Sequence, residues 1–211
     1  MNRIKAVVFD MDGVLIDARE WHFEALNRAL NLFGYNISRY EHLITFDGLP
    51  TRRKLEMLSL DRGLPRNLHC FLNSLKQTFT KEIVHAQCKP KFQHEYALSR
   101  LKSEGYRIGL ASNSVRSTID LMMEKSALQG YFDVTLSNEE VNHAKPDSEI
   151  YDKAIVKLGV LPQETIVVED NPHGVAAARA SGAHVMIVSD PRDVTWDRIE
   201  TFVGTLDSAP K

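Results

Sequence analysis

Five short apolar runs constrain the fold of this chain more than any other feature. They are Ile4–Phe9, Arg107–Ala111, Phe132–Leu136, Thr165–Val168 and His184–Val188. Their shortness and β-branched residues are typical of strands that are buried on both faces of a parallel sheet. Segments with helical spacing separate the later runs and have the length of crossover helices. The sequence therefore predicts a doubly wound parallel α/β sheet.

The segment between the first and second runs does not follow this pattern. It contains two apolar faces with helical spacing, made of Leu26, Ala29, Leu30 and Phe33, and of Leu68, Phe71, Leu72, Leu75, Phe79 and Ile83. Each face needs cover from the other, so we predict a small helical bundle inserted after the first strand. We expect residues 18–88 to form a cap over the carboxyl edge of the sheet. Residues 1–17 and 89–211 are then the α/β core.

Glycine and proline mark the predicted ends of the core helices. Helix C-caps are expected at Gly105, Gly130, Gly159 and Gly182. Asn171-Pro172 offers an N-cap followed by a proline at the first helical position. Residues Thr205 to Lys211 are expected to form a loose tail.

Composition narrows the function classes. The chain is 43% hydrophobic and 26% charged, which is typical of a soluble globular protein, and its net charge of -2 gives no basic surface for nucleic acid or anionic membranes. No apolar stretch reaches the ~18 residues needed to span a bilayer, and the N-terminus lacks a secretory signal pattern. Cys70 and Cys88 have neither redox nor zinc spacing. We predict a cytoplasmic monomer or small homo-oligomer that binds neither nucleic acid nor membranes.

Polar residues follow four of the five predicted strands. They are Asp10 and Asp12 after the first, Ser112-Asn113-Ser114 after the second, Lys145-Pro146-Asp147 after the third and Glu169-Asp170 after the fourth. Each group alone is common in turns and helix caps. Together they would meet at the carboxyl edge of the sheet, where open α/β sheets bind their ligands. This ordered set favours a functional site over four unrelated loops.

These residue types suit phosphoryl transfer. A carboxylate nucleophile divides the reaction into formation and breakdown of an aspartyl phosphate. Its repulsion from the phosphate is cancelled best by Mg²⁺ held by oxygen ligands. Lys145 can neutralise one phosphoryl oxygen and Ser112 can hydrogen-bond another. A second acid, Asp12, can protonate the leaving oxygen and later deprotonate the attacking water.

The segments Asp10-Met11-Asp12-Gly13, Ser112, Lys145 and Glu169-Asp170 resemble the four motifs of the haloacid dehalogenase superfamily, whose core is Rossmann-like. The helical insertion is similar to the C1 cap of its β-phosphoglucomutase-like and phosphoglycolate-phosphatase-like branch. The resemblance implies that Asp10 is the nucleophile, that Asp12 is the acid and base, and that Ser112 and Lys145 bind the phosphoryl group, with Asn113 beside them. It also implies that the Mg²⁺ ligands are the Asp10 side chain, the Asp12 main-chain carbonyl and Asp170, with Glu169 close by.

Within that superfamily the choice between phosphatase and phosphomutase stays open. Relatives that cleave carbon–halogen or carbon–phosphorus bonds lack an acid at the position of Asp12, so both activities are disfavoured. His22 fits the cap-hinge histidine of β-phosphoglucomutases, and Lys76 is a candidate for their cap lysine. Ala18 and Thr51 stand where such mutases have a threonine and an arginine. These departures favour a phosphatase acting on a small phosphate ester, such as a sugar or polyol phosphate.

The turn from Phe46 to Lys54 is the predicted substrate-reading element of the cap. Its glycine and proline place a turn between two helices, and Thr51 and Arg52 are candidate substrate ligands. The run Arg52-Arg53-Lys54 is either a solvated helix start or, where one side chain points inward, a binder of an anionic or hydroxyl-rich substrate.

Two non-enzymatic alternatives share parts of this pattern. A phosphorylation-switched receiver domain also uses a metal, an aspartate, a hydroxyl and a lysine, but its acceptor aspartate follows a middle strand. A catalytically silent regulatory protein of the same fold is disfavoured because every motif residue is present.

Overall fold

A computed structural model describes residues 4–208, and a single parallel sheet organises this part of the chain. Its strand order is β3-β2-β1-β4-β5. The strands are β1 Ala6–Phe9, β2 Arg107–Ala111, β3 Val134–Leu136, β4 Thr165–Glu169 and β5 His184–Ile187. Four of the predicted apolar runs contain one strand each, β4 extends one residue beyond its run to Glu169, and every pairing is parallel. The predicted doubly wound α/β fold is therefore confirmed.

Helices cover both faces of the sheet and also fill the segment after β1. The α-helices are α1 Arg19–Asn31, α2 Arg39–Glu41, α3 Thr51–Arg62, α4 His69–Gln87, α5 Phe92–Ser103, α6 Arg116–Lys125, α7 Glu149–Leu158, α8 Pro172–Ala180 and α9 Trp196–Asp207. A π-helix spans His42–Phe46, and short 3-10 turns occupy Arg66–Leu68, Gln129–Tyr131, Asn138–Glu140, Pro162–Glu164 and Pro191–Asp193. Among residues 4–208, no helix has the length and apolar composition needed to cross a membrane.

The alternation of side chains along β1 divides the core into two layers. Val7 and Phe9 belong to an apolar cluster that includes residues of α5, α6 and α9. Ala6 and Val8 point the other way and belong to a cluster with residues of α7 and α8. This arrangement buries the sheet on both faces, as its continuous apolar runs require.

The helices between β1 and α5 have an apolar cluster of their own. Leu26, Leu30, Leu55, Leu58 and Leu72 bring α1, α3 and α4 together, and all five are fully buried. We call this segment, from α1 to α4, the cap. The exact division of the chain at residues 17 and 88 stays a prediction.

Three local predictions are wrong. Phe33 and Phe71 were expected in the buried faces of the cap, but they are 38% and 54% exposed and contact each other edge to face. The left-handed residue after α6 is Ala127, with φ 60°, whereas Gly130 lies within a 3-10 turn. Helix α9 continues to Asp207, so the expected tail is helical at 205–207, and residues 209–211 lie outside the described residues.

Candidate functional site

The carboxyl edge of the sheet and the cap enclose a cavity of about 190 Å³. Asp10 directly follows β1, and its backbone N–H donates to the carbonyl of Val168 in β4 at 3.0 Å. This bond extends the parallel ladder by one residue and fixes Asp10 to the sheet. Asp10 is 8% exposed and lines the cavity.

Lys145 joins two of the predicted acids through its ammonium. Nζ donates to Asp10 Oδ1 at 2.6 Å, to Glu169 Oε1 at 2.8 Å and to the Ala111 carbonyl at 2.9 Å. These three bonds use every hydrogen of the ammonium. Burial opposes the charged form, but the carboxylates of Asp10 and Glu169 outweigh it and raise the pKa of Lys145.

Glu169, the last residue of β4, is fixed by several donors. The Tyr151 hydroxyl donates to Oε1 at 2.5 Å, and the backbone N–H groups of Asp170 and Asn171 donate to Oε2 at 3.0 and 3.3 Å. Gly174 in α8 leaves room for the carboxylate, because a Cβ at this position would lie 1.8 Å from Oε1. A carboxylate held this firmly positions the lysine ammonium bound to it.

Asp10, Glu169 and Asp170 form an acidic cluster that fits a divalent cation. One oxygen from each carboxylate lies within 4.8 Å of the others. Burial raises the pKa of Asp10, and burial together with the adjacent Glu169 raises the pKa of Asp170 to about 7. Asp170 Oδ1 is buried and has no hydrogen-bond partner among the described residues. Close carboxylate oxygens, one of them without a hydrogen-bond partner, fit the preference of Mg²⁺ for hard oxygen ligands.

Steric constraints explain why the first motif has a glycine at position 13. Gly13 adopts a φ of 87°, and a Cβ there would lie 2.1 Å from Asp170 Oδ2. Its N–H donates to the Ile16 carbonyl at 2.7 Å, which closes a tight turn after β1. The turn thereby brings the backbone against the acidic cluster.

Asp12 makes its side-chain contacts outside this cluster. Ser114 Oγ donates to Asp12 Oδ2 at 2.9 Å, and His22 Nε2 lies 3.1 Å from Oδ1. Lys76 Nζ lies 3.2 Å from His22 Nδ1. When Lys76 is charged its ammonium can only donate, so Nδ1 then accepts and the ring hydrogen is on Nε2, the nitrogen nearest Asp12.

The pKa shifts agree with this chain of contacts. Burial alone would raise the pKa of Asp12, but His22 and Ser114 outweigh it and the pKa is lowered. Burial and the neighbouring Lys76 lower the pKa of His22. Burial, with Lys54 as the next cause, lowers the pKa of Lys76 to about 7. The contacts with His22 and Ser114 therefore favour the ionised form of Asp12.

The loop after β2 connects the core to the cap. Ser112 is buried, and its Oγ accepts from the Ser114 N–H at 3.0 Å. Asn113 Nδ2 donates to the carbonyl of Gly48 in the cap turn at 3.0 Å, while Asn113 Oδ1 accepts from the Lys145 N–H at 3.3 Å. Asn113 is thus a bridge between the two parts that enclose the cavity.

The side chains at the start of α3 point in different directions. Thr51 begins α3 and lines the cavity. Arg52 lies at the rim with its side chain 89% exposed, and its Nε donates to Glu56 at 3.2 Å. Lys54 is buried and lines the cavity. The structure therefore turns Lys54 inward and leaves the guanidinium of Arg52 in contact with Glu56.

The cavity collects the predicted site residues from both parts of the chain. Those that line it are Asp10, Asp12, His22, Thr51, Arg52, Ser112, Asn113, Lys145, Glu169 and Asp170. Four carboxylates and Lys145 come from the core, and His22, Thr51 and Arg52 from the cap.

Two contributors were not predicted. Arg19 at the start of α1 places Nη2 3.1 Å from Asp170 Oδ2 and Nε 3.0 Å from Asp47 Oδ2, so it links the cap to the acidic cluster. Tyr151 reaches Glu169 from α7. Neither belongs to a motif, and both contacts depend on how helices pack across the sheet. The position of Arg19, next to the chain's entry into the cap, was the available signal.

The fold and this cavity define a class of α/β enzymes that gather acids and a lysine at the carboxyl edge of a parallel sheet. The sequence matches the haloacid dehalogenase-like hydrolases over residues 7–188. The chain belongs to this family.

Its relatives include several phosphate-processing enzymes. A phosphorylated carbohydrates phosphatase of Thermotoga maritima is 30% identical, over 85% of this chain and 82% of its own length. Pyrophosphatase PpaX of Bacillus mycoides is 26% identical, over 89% of this chain and 84% of its own. A crystal structure of β-phosphoglucomutase from Clostridium difficile has a TM-score of 0.84 and 19% identity, covering 96% of this chain and 98% of that one. The last likeness shows a shared fold.

Proposed function

We propose that this protein is a Mg²⁺-dependent phosphatase that hydrolyses a small phosphorylated metabolite through an aspartyl phosphate. The observation that carries the proposal is the convergence at Asp10. Its Oδ1 lies 2.6 Å from the Lys145 ammonium, and its carboxylate lies in the acidic cluster with Glu169 and Asp170. The phosphatases among the relatives support a phosphoric monoester hydrolase, with a phosphomutase as the alternative.

The first half of the reaction uses Asp10 as the nucleophile. A carboxylate oxygen of Asp10 forms a bond to phosphorus while the bond from phosphorus to the ester oxygen breaks. Mg²⁺, held by Asp10, the Asp12 main-chain carbonyl and Asp170 with Glu169 close by, would reduce the repulsion between carboxylate and phosphate. Lys145, which exchanges one of its present hydrogen bonds for a phosphoryl oxygen, and Ser112 bind the phosphoryl group and orient it for attack by Asp10.

Asp12 transfers the proton in both halves of the reaction. It donates a proton to the departing ester oxygen and then removes one from the water that attacks the aspartyl phosphate. The lowered pKa of Asp12 suits the second role. The first role requires that the negative charge of the incoming ester raise this pKa. His22 and Ser114 orient the carboxylate throughout.

Substitution of Asp10 tests the mechanism. Asp10→Asn should abolish phosphate release with Mg²⁺ from a panel of sugar phosphates, polyol phosphates and pyrophosphate, because an amide is not a nucleophile here. Asp17→Asn, which changes an exposed acid seven positions away, is the matched control and should retain activity. Near-normal turnover by Asp10→Asn on any ester would disprove the mechanism.

A phosphomutase is the second candidate because His22 and Lys76 meet at 3.2 Å. Incubation with β-glucose 1-phosphate and a trace of the bisphosphate distinguishes the two. Glucose 6-phosphate without free phosphate would identify a mutase, and free phosphate a phosphatase. The monomer or small homo-oligomer and the cytoplasmic location stay predictions from the sequence.

A further inference from the structure

Lys54 is the one member of its basic run that turns inward. It lies in the first turn of α3 and is 7% exposed, whereas the side chains of Arg52 and Arg53 are 89% and 63% exposed. Leu55, which follows it, is buried in the apolar cluster of the cap. The helix is therefore anchored in a rotation that directs Lys54 to the cavity.

The Lys54 ammonium has no hydrogen bond or ion pair with any residue between 4 and 208. Lys145, by contrast, uses all three of its ammonium hydrogens. The nearest acid of the cap turn, Asp47, is already paired with Arg19 at 3.0 Å. Burial lowers the pKa of Lys54 to about 8 and outweighs the opposing electrostatic effects of Asp47 and Asp12, neither of which forms an ion pair with the ammonium.

The surroundings of Lys54 make the cap side of the cavity electropositive. Lys76, also buried and without a carboxylate within ion-pair distance among the described residues, lines the same cavity with His22. Of the core carboxylates, Asp12 lies beside His22 and acts electrostatically on both lysines, whereas Asp10, Glu169 and Asp170 form the acidic cluster. A buried ammonium is costly unless an anion accompanies it. An anionic group of a ligand in the cavity would give Lys54 the direct partner that it lacks among residues 4–208.

We propose that Lys54 binds a second anionic group of the substrate, so that the preferred substrates are small phosphate esters carrying a further carboxylate or phosphate. This inference rests on the proposed function in one respect, that the first anion is the phosphoryl group bound at Asp10 and Lys145. The second group lies toward the cap, and Lys54 is a specificity-determining residue.

Turnover of matched substrates tests this selectivity. The wild type with Mg²⁺ should show a higher kcat/KM for 2-phosphoglycolate and fructose 1,6-bisphosphate than for ethyl phosphate and p-nitrophenyl phosphate. Lys54→Met keeps the apolar stem and should lower kcat/KM for at least one of the first two by about 10- to 100-fold, mainly through KM. Lys54→Met should change kcat/KM for ethyl phosphate and p-nitrophenyl phosphate by less than about threefold. Arg53→Met, an exposed neighbour in α3, is the matched control and should affect neither group.

Binding of non-hydrolysable probes separates this inference from the proposed function. By calorimetry at fixed free Mg²⁺, 3-phosphonopropionate or methylenebisphosphonate should bind more tightly than propylphosphonate. Lys54→Met should remove that preference and Arg53→Met should keep it. The carboxylate and phosphonate probes identify which second anion is accepted. A Lys54-dependent preference without turnover of any ester would disprove the phosphatase and support the second-anion site.

The remaining outcomes would overturn the inference. They are an equal loss for all substrates in Lys54→Met, or the absence of any preference in the wild type. Thermal unfolding without ligand gives a further readout, because removing an unpaired buried charge should raise Tm by a few degrees. A lower Tm of Lys54→Met would mean that Lys54 has a partner within the protein, and this too would overturn the inference.

Discussion

At the residue scale, Asp12 differs from its neighbour Asp10 in what surrounds it. Asp10 contacts Lys145 and belongs to the acidic cluster, whereas the carboxylate of Asp12 contacts Ser114 and His22. Two acids separated by one residue thus lie in different electrostatic environments. This separation is what a nucleophile and a proton-transfer group require.

We therefore expect Asp12→Ala to lower kcat on alkyl phosphates by about 10²- to 10⁴-fold. With p-nitrophenyl phosphate, whose leaving group needs no proton, the first step should be spared and the second should stay slow. Rapid mixing should then show a burst of nitrophenol followed by slow turnover. A kcat within threefold of the wild type on alkyl phosphates would remove Asp12 from proton transfer.

At the element scale, α8 approaches β4 as closely as it does because residue 174 is glycine. Gly174→Ala would place a methyl group 1.8 Å from Glu169 Oε1. Helix propensity alone favours alanine by about 1 kcal/mol, but the clash should reverse the sign and destabilise the protein by about 2 kcal/mol. Activity should fall as well, because the displaced carboxylate no longer positions Lys145. Urea unfolding and phosphate release measure the two effects.

Gly204 in α9 supplies the matched control. A Cβ there has nothing within 4 Å. Gly204→Ala should therefore leave activity unchanged and stabilise the protein by up to about 1 kcal/mol. If both alanine variants are equally stable, close packing of α8 against Glu169 does not require glycine at position 174.

The π-helix of the cap contributes a pH-dependent term to stability. His42 is 1% exposed and packs against the ring of Phe23 at 5.2 Å, with Lys54 and Asp47 as its nearest charged influences. Burial, then Lys54, lowers its pKa from 6.5 to about 4. As the pH falls, His42 becomes protonated near pH 6.5 in the unfolded chain but only near pH 4 in the folded chain. The free energy of unfolding therefore decreases as the pH is lowered from 6.5 to about 4.

We expect this term to reach about 3 kcal/mol at pH 4, from the size of the shift. Because carboxylates titrate in the same range, the comparison is with His42→Phe, which cannot be protonated. Urea unfolding at pH 7, 5.5 and 4 should show a steeper loss for the wild type. Parallel curves would mean that His42 titrates normally.

The sequence predicted the strands better than the directions of helix faces. Each strand lies within one residue or two of its apolar run, because burial on both faces leaves a continuous signal. Phe33 and Phe71 have the correct helical spacing but lie at the edge of their faces, where they contact each other. Spacing gives the period of a helix and not its rotation about its axis.

The same limit explains what was missed in the candidate site. Asp10 and Lys145 follow strands and Glu169 ends one, and the carboxyl ends of parallel strands all lie at one edge of the sheet. Lys54 was named only within its basic run, because its inward direction depends on how Leu55 and Leu58 seat α3 in the cap. Rotation of helices was therefore the missing information for the cap.

At the scale of the whole molecule, three carboxylates lie close together at the junction of core and cap. Chelation with EDTA should abolish phosphate release, and added Mg²⁺ should restore it. Mg²⁺ should also raise Tm, because an ion that binds only the folded chain stabilises it. Asp170→Asn should lose this shift, whereas Asp197→Asn, an exposed acid in α9, should keep it. Full activity in EDTA would contradict a metal-dependent mechanism.

The placement of Lys54 on α3 has a practical consequence for protein engineering. The groups next to phosphorus belong to strand ends, whereas Lys54 and Lys76 belong to helices that share an apolar cluster separate from the sheet. A library confined to a few cavity-facing positions of α3 and α4 would vary which ester is accepted while the reacting carboxylates stay in place. We expect such libraries to yield altered substrate ranges far more often than inactive proteins.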